Sequence, residues 1–360
     1  MPDESTGNTS PRLKIIEPED SHAGAVAEFI RAVWTPGATA ETVLAARASA
    51  AEHNVAEPGV PPPTWLAIRE GQVVGYVTTI PIRIWDGRND WPGYWIKGLM
   101  VLPEYRNGPI GYALMKTAVA RLPRSGGLAV AAPARRLFCA LGYTDLGPIP
   151  NWVRPLAPGR ILGRLDLEAM GIGSVPRWLP GTVRFGRATG LATLLGWAGG
   201  VALSGLAAAR RWKASRVGRV PFDPIHGGQE LDALWQRVRD KFSSGVVRDG
   251  NYLADRYPSG PGSAYTWMAV RDRGVLTGVA ILRQPRADGD PRLRGVRVAT
   301  LVDMVFDPTQ PTHGLALLGT VESSARTLQA DAILATCSAH ELTGLLRRQC
   351  YLSISGNVHF

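Results

Sequence analysis

The fold of this chain is decided by the stretch Leu99-Met100-Val101-Leu102-Pro103-Glu104-Tyr105-Arg106-Asn107-Gly108-Pro109-Ile110-Gly111-Tyr112-Ala113-Leu114-Met115. An apolar run ends at a proline, and a basic turn containing glycine then opens an amphipathic helix. The first N–H groups of a helix have no intrahelical acceptor, and the helix dipole adds partial positive charge there. Glycine allows an anion to approach the main chain, and arginine adds a charge-assisted hydrogen bond. The stretch therefore predicts an anion-binding strand–turn–helix unit.

This spacing differs from two common phosphate-binding motifs, because it contains neither G-x-G-x-x-G nor G-K-[ST]. It resembles instead the acyl-CoA-binding segment of the GNAT (GCN5-related N-acetyltransferase) superfamily, L-x-V-x-P-x-x-R-x-x-G-x-G/A. The match consists of Leu99, Val101, Pro103 and Arg106, followed by Gly111 and Ala113. The resemblance implies that acetyl-CoA, or another acyl-CoA, is bound by Leu99, Met100, Val101, Arg106, Asn107, Gly108, Ile110, Gly111, Tyr112 and Ala113.

One position departs from that pattern. Pro109 stands where the first glycine is expected, and Gly108 comes one residue early. Proline has no N–H, so we expect one contact to the CoA diphosphate to be missing or displaced.

The neighbouring segments follow the order of elements in the GNAT fold. Trp65–Val77 predicts a tight β-hairpin, Gly127–Ala132 a strand, and Ala134–Leu141 a helix that stops at Gly142-Tyr143. The resemblance covers about Leu13 to Leu156.

The second half repeats the first at a nearly constant offset. Gly75 corresponds to Gly278, Met100 to Met304, and Tyr143 to Tyr351. The repeat predicts an α/β protein with two tandem GNAT-like mixed sheets flanked by helices. A helical linker with both basic and apolar stretches joins the two sheets. The predicted boundaries are a disordered lead-in over 1–12, a CoA-binding domain over 13–156, the linker over 157–221 and the second domain over 222–360.

The second copy lacks the phosphate-binding residues. The segment Thr309–Gly314 has no arginine and one glycine, so we expect a single CoA site, in the first half. Upstream, Arg248–Tyr257 resembles an R-D-x-x-Y-L-x-x-R-Y signature of two-domain GNAT proteins. The resemblance predicts that an acceptor in the cleft between the halves is bound by Arg248, Asp249, Tyr252, Arg256 and Tyr257; a surface Arg–Asp lattice is the alternative.

The usual catalytic residues of the family are not obvious. Many members have a tyrosine acid five residues before the aromatic residue that ends the helix, and this chain has Phe138 there. No carboxylate follows Asp90 on the strand where many members place a glutamate base. The remaining candidates are Tyr143, Asp303 and Tyr94, with Asp303 on an apolar strand where burial can raise a carboxyl pKa.

The net charge of +10 is concentrated in one segment. Between Arg160 and Arg219 there are ten Lys or Arg against Asp166 and Glu168, so the rest of the chain is nearly neutral. This pattern does not predict nucleic-acid binding by the folded halves. Histidine and cysteine spacing predicts no metal site, and three unpaired cysteines fit a reducing, cytoplasmic setting.

Residues 188–209 carry no charge and are bracketed by Arg187 and Arg210. Three interpretations are open: a helix packed on the protein, a Trp-flanked helix in a membrane interface with peripheral contact through 177–219, or a membrane span.

The sequence as a whole predicts an N-acyltransferase that moves an acetyl or short acyl group from acyl-CoA to an amine. By analogy the acceptor is a small molecule, such as an amino sugar or an amino-acid derivative. The alternatives are a catalytically degenerate CoA-binding regulatory protein and an aminoacyl-tRNA-dependent peptidyl transferase.

Overall fold

A computed structural model of the chain describes residues 13–128, 130–164, 191–212, 218–222, 224–287 and 295–359. It confirms the predicted fold class, an α/β protein with two mixed sheets flanked by helices. The described residues divide into two compact units. The first contains the described residues within Met1–Pro148, Ser244–Val247 and Asn357–Phe360, and the second those within Ile149–Ser243 and Arg248–Gly356.

The first unit contains a six-stranded sheet in the order β1-β2-β3-β4-β5, with β8 paired to β3. Its strands are β1 Lys14–Ile16, β2 Thr64–Arg69, β3 Gln72–Trp85, β4 Asp90–Val101, β5 Ser125–Gly127 and β8 Gly245–Val246. Its helices are α1 Ala23–Val33, α2 Ala40–Glu52, α3 Ile110–Arg121 and α4 Ala132–Ala140.

The second unit contains a seven-stranded sheet in the order β13-β6-β12-β11-β10-β9-β7. Its strands are β6 Pro148–Pro155, β7 Gly218–Pro221, β9 Tyr265–Asp272, β10 Val275–Arg286, β11 Val298–Phe306, β12 Ala332–Thr336 and β13 Leu352–His359. Its helices are α5 Pro158–Arg164, α6 Leu191–Arg211, α7 Pro224–Val238, α8 Gly250–Arg256, α9 Pro311–Thr327 and α10 His340–Arg348.

The predicted hairpin is confirmed, and β9 and β10 form a second hairpin with the same turn. Glu70 and Gly71 between β2 and β3 have φ of 52° and 78°, and Arg273 and Gly274 between β9 and β10 have φ of 48° and 84°. Two consecutive left-handed residues make the type I′ turn that matches the twist of paired strands. The repeat seen in the sequence is therefore also a repeat of backbone geometry.

The strand predicted over 127–132 is shorter and earlier than expected. It pairs in parallel with β4 only from Ser125 to Gly127, and helix α4 begins at Ala132. Pro133 explains the early helix start, because proline fits the first helical turn, where its missing N–H has no intrahelical acceptor anyway.

The predicted domain boundary at 156 is wrong for β6. This strand lies between β12 and β13 in the second sheet, with Trp152 opposite Ala335. Trp152 and Arg154 are both buried there. Hydrophobic patterning predicts that a strand has a buried face, but it does not state against which sheet that face packs.

The described parts of the predicted linker over 157–221 do not form a separate linker, because they belong to the second unit. Helices α5 and α6 belong to the second unit, and β7 is the edge strand of its sheet, paired with β9. Gly196 permits the α5–α6 contact, because a Cβ there would lie 2.5 Å from Gly159. The lead-in 1–12 and residues 165–190 and 213–217 lie outside the described residues. No described helix is both long and apolar enough to cross a membrane.

Candidate functional site

The end of strand β4 is the first element of the candidate site. Its parallel pairing with β5 covers only Tyr94 to Ile96, although β4 continues to Val101. The last five residues therefore have no β5 partner, although β3 still pairs with Lys97, Met100 and Val101. Leu99, Met100 and Val101, predicted to bind the cofactor, lie on this portion and are half-buried.

A bulge in β4 follows directly after the pairing with β5 ends. The register with β3 shifts between the pairs Thr78↔Lys97 and Tyr76↔Met100, and Gly98 has a φ of 65° inside the shift. Glycine adopts this conformation at little cost, whereas a Cβ would also lie 3.1 Å from the Trp34 ring.

The turn after β4 leads directly into helix α3. A 3-10 turn spans Pro103–Tyr105, Asn107 follows in the left-handed conformation, and Pro109 is the helix N-cap residue. The first helical hydrogen bond joins Ala113 N–H to the Pro109 carbonyl over 2.9 Å. In the described part of the chain, no protein acceptor bonds to the backbone N–H groups of Asn107, Gly108, Ile110, Gly111 or Tyr112.

These N–H groups lie beside an arginine. Arg106 is exposed, and its Nε donates to the carbonyl oxygen of Val101 over 3.2 Å. Gly111 leaves space beside the helix, since a Cβ at this position would lie 3.9 Å from its nearest neighbours, in Leu137 and Val101. The turn thus combines unpaired donors, a cation and an open glycine, which is the chemistry that binds a diphosphate.

A pocket of about 580 Å³ opens beside the same turn, and sequence reasoning missed it. Glu28, Glu70 and Glu104 line it together with Phe29 and Leu102, and none of its described lining residues is basic. Three carboxylates repel phosphate, so this pocket is not the diphosphate site.

Of the predicted catalytic residues, Tyr94 and Tyr143 both lie next to Ser125 of strand β5. Ser125 on β5 pairs with Tyr94 in the sheet, and its hydroxyl lies 2.6 Å from the hydroxyl of Tyr143. Burial raises the pKa of Tyr143 above its ordinary value, and the hydrogen bond with Ser125 offsets only part of that effect. Burial likewise raises the pKa of Tyr94, with the charge of Glu57 adding to it.

The other predicted residues lie in the second unit. Asp303 on β11 accepts a hydrogen bond from Arg248 Nε over 2.8 Å and another from the Tyr257 hydroxyl over 3.3 Å. Burial, followed by the charge of Asp303, raises the pKa of Tyr257. These are the contacts of a carboxylate held in an ion pair, and a role for Asp303 as a base stays a prediction.

The signature around Arg248 is only partly helical. Helix α8 contains Tyr252 and Arg256, whereas Arg248 precedes the N-cap residue Asp249. Asp249 accepts a hydrogen bond from Tyr252 N–H over 3.0 Å, so it caps the N-terminus of this helix.

Sequence reasoning also missed two aromatic residues near the bulge. Trp34 and Tyr76 meet edge to face at 5.8 Å between ring centroids, and Trp34 also contacts Gly98. Burial raises the pKa of Tyr76. Trp34 remains 44% exposed. A large exposed aromatic residue beside the end of β4 indicates a binding surface.

Comparison with known proteins agrees with this geometry. Residues 31–143 match the profile of the Acetyltransferase (GNAT) family. The match lies within the first unit and includes the end of β4, the turn and helix α3. No curated protein matches the chain by sequence.

Solved structures with the same fold extend over both units. A GCN5-related N-acetyltransferase from Anabaena variabilis ATCC 29413 has a TM-score of 0.58 and 14% identity, covering 97% of this chain and 72% of that one. Saccharomyces cerevisiae N-myristoyltransferase with bound myristoyl-CoA has a TM-score of 0.56 and 11% identity, covering 98% and 79%.

A third structure contains a glucosamine N-acetyltransferase region in a fungal multi-domain GH3 β-N-acetylglucosaminidase. Its TM-score is 0.55 at 13% identity, covering 98% of this chain and 38% of that one. At these identities the three likenesses show the fold alone. The GNAT fold supports acyl transfer from acyl-CoA in general.

Proposed function

We propose that this protein is an N-acyltransferase that moves an acetyl or short acyl group from acyl-CoA to the amine of a small molecule. The observation that carries the proposal is the row of unpaired N–H groups from Asn107 to Tyr112, with Arg106 beside it, after a strand that extends past its pairing with β5. A CoA thioester bound there supplies the activated acyl group.

The residues present fit that cofactor. The backbone donors and Arg106 would hold the diphosphate, and the unpaired end of β4 would offer main-chain groups to the pantetheine. Pro109 contributes no N–H, but it caps the helix through its carbonyl and leaves the donors on either side of it unpaired. Positioning of this kind can supply about 7 kcal/mol or more of the barrier reduction.

We infer that the acyl group is short. Tyr94 and Ile96 lie on the part of β4 that pairs with β5, and both are buried with Phe138 in the hydrophobic core of the first unit. A long acyl chain would have to displace these side chains to pass between β4 and β5.

The acceptor class is supported by Trp34. Its exposed ring beside Gly98 offers an apolar surface for the C–H face of a sugar ring or an aliphatic side chain. The fungal glucosamine N-acetyltransferase region adds support for an amino sugar.

Proton transfer is assigned to Tyr143. A phenol is protonated at neutral pH, as a general acid for the departing thiolate must be, and burial raises the pKa of Tyr143 further. Phe138, which stands where many GNAT enzymes have their acid, is buried and packs on the Tyr143 ring at 4.9 Å between centroids.

Phe138 also supports a second candidate, a CoA-binding protein without turnover. Calorimetry with acetyl-CoA, followed by thiol release over amino sugars and amino-acid derivatives, separates the two functions. Binding with thiol release that depends on one amine class supports the transferase, and tight binding without release supports the second candidate. No heat with acetyl-CoA or longer acyl-CoAs overturns both.

A further inference from the structure

The described residues of helix α6 have one face fixed on the second unit. Gly196 and Gly200 pack against Pro158 and Gly159, and Ala207 is fully buried. At its C-terminal end, Arg211 donates to Glu322 Oε2 over 2.7 Å and to Gln349 Oε1 over 2.8 Å. These contacts determine which side of the helix faces outward.

The outward face is apolar. Val201, Leu206 and Trp212 are 55%, 45% and 66% exposed, which is unusual for side chains of their size. Val201, Ala208 and Trp212 recur at helical spacing, so they share one stripe of the surface. The exposed small residues beside them are Ala198, Ala202, Gly205 and Ala209.

A helix that is apolar on both its inner and its outer face is normally covered on both. No charged residue occurs from 188 to 209, so nothing in that run makes the outer face hydrophilic. The stripe ends at an exposed tryptophan, a residue type that prefers the boundary between headgroups and acyl chains.

Positive charge at the C-terminal end of the helix favours an anionic partner. Arg210 is exposed near the end of α6, whereas Arg211 is ion-paired with Glu322. Lys213 and Arg216 follow Trp212 in the sequence. An apolar face followed by basic residues complements an anionic lipid surface, in which the helix lies flat.

We propose that α6 attaches this protein to the surface of an anionic lipid bilayer, with Val201, Leu206 and Trp212 inserted between the headgroups. The attachment is independent of the acyl-transfer chemistry. It needs no spanning helix, and no described helix can span a bilayer.

Co-sedimentation of the purified full chain with phosphatidylcholine vesicles, with and without phosphatidylglycerol, tests the proposal. Binding is expected only with phosphatidylglycerol and should weaken as salt is raised. The double variant Val201→Asp/Leu206→Asp should bind at least about tenfold more weakly. Lys213→Glu should lower binding about fivefold or more, since each basic residue near a charged surface contributes about that factor.

Val275→Asp is the matched control. Val275 is 52% exposed on β10 of the same unit, so the same substitution there tests for a general effect of surface charge. Circular dichroism confirms that each variant is folded. The proposal is overturned by absence of vesicle binding, by equal loss in the Val275 variant, or by full binding of the α6 variant. A wild-type dimer that the α6 variant converts to monomer also overturns it, because a second copy then covers the face.

Discussion

Arg106 holds its Nε against the carbonyl oxygen of Val101, the last residue of strand β4, at 3.2 Å. This contact joins the turn to the end of β4 and fixes the position of the guanidinium near the free N–H groups of helix α3. In the described part of the chain, no carboxylate pairs with Arg106. The remaining nitrogens are therefore available to an anionic ligand.

Arg106→Ala should weaken acetyl-CoA binding by about ten- to a hundredfold, because a hydrogen bond to a charged group contributes about 1.5–3 kcal/mol. The melting temperature should barely change, since the side chain is exposed. Arg121→Ala, at the exposed C-terminal end of the same helix, is the control for loss of one positive charge. Titration calorimetry measures the effect, and equal losses in both variants would refute a specific contact.

Gly111→Ala should stabilise the fold and weaken CoA binding. Alanine is favoured over glycine in a helix by up to about 1 kcal/mol, and no protein atom lies closer than 3.9 Å to the added Cβ. The methyl group would occupy the surface that a diphosphate must approach. Gly24→Ala makes the same change at the second residue of α1, also in open space. It should raise the melting temperature and leave CoA affinity unchanged; reduced affinity there would point to a global cause.

Gly314→Ala, in the corresponding helix of the second unit, should destabilise the protein. A Cβ at this position would lie 2.4 Å from Leu345 Cδ1 and 2.9 Å from Phe306 Cε2. Overpacking of this kind costs about 1–3 kcal/mol of unfolding free energy. Gly344→Ala in α10 has open space around it and should not destabilise. Urea denaturation of both variants gives the comparison. Equal stabilities would show that Leu345 and Phe306 do not pack closely enough against Gly314 to exclude a methyl group.

Tyr143→Phe should lower kcat about a hundredfold with little change in CoA affinity, because general acid catalysis commonly contributes about 10²–10⁴-fold. Burial raises the pKa of Tyr143, so the active protonated form persists through neutral pH. The rate of the wild type should therefore fall on the alkaline side only above the ordinary tyrosine range. Ser125→Ala keeps the phenol and removes its hydrogen-bond partner, which lowers the pKa of Tyr143 in the wild type. The alkaline limb of the pH–rate profile of this variant should therefore shift to higher pH. A normal rate in the phenylalanine variant assigns the proton to another group.

Glu322→Gln should destabilise the second unit by about 3–5 kcal/mol, the usual cost of breaking a buried ion pair. The Glu322 carboxylate contacts Arg211, Arg326 and the fully buried Arg154. Burial opposes its ionisation, but these arginines outweigh burial and lower its pKa. The stabilisation is therefore present above the unfolded-state pKa and is lost as pH falls through the folded-state value. Denaturation at a series of pH values from 7 to 3 should show that the difference in free energy of unfolding between wild type and variant becomes smaller as the pH falls.

Local rules predicted much of this fold. The hairpin at Gly71 and its repeat at Gly274 follow from turn chemistry that needs left-handed residues. The helix after Pro109 and the loss of phosphate-binding residues before Gly314 were also readable from residue type and spacing.

Long-range features were not readable in the same way. The local sequence of β6 does not predict that this strand pairs within the second sheet, where Trp152 lies opposite Ala335. The choice of sheet depends on residues far along the chain. The acidic pocket at Glu104 and the position of Trp34 over Gly98 depend likewise on elements far apart in sequence.

The placement of β6 has a practical consequence for dissecting the protein. A fragment cut after residue 156 would carry away an interior strand of the other sheet. In the remainder, β12 would become an exposed edge strand and β13 would lose its one neighbour in the sheet order; unpaired strands of this kind recruit other chains and aggregate. Separate expression of the halves should therefore divide the gene at the start of β6, near residue 148.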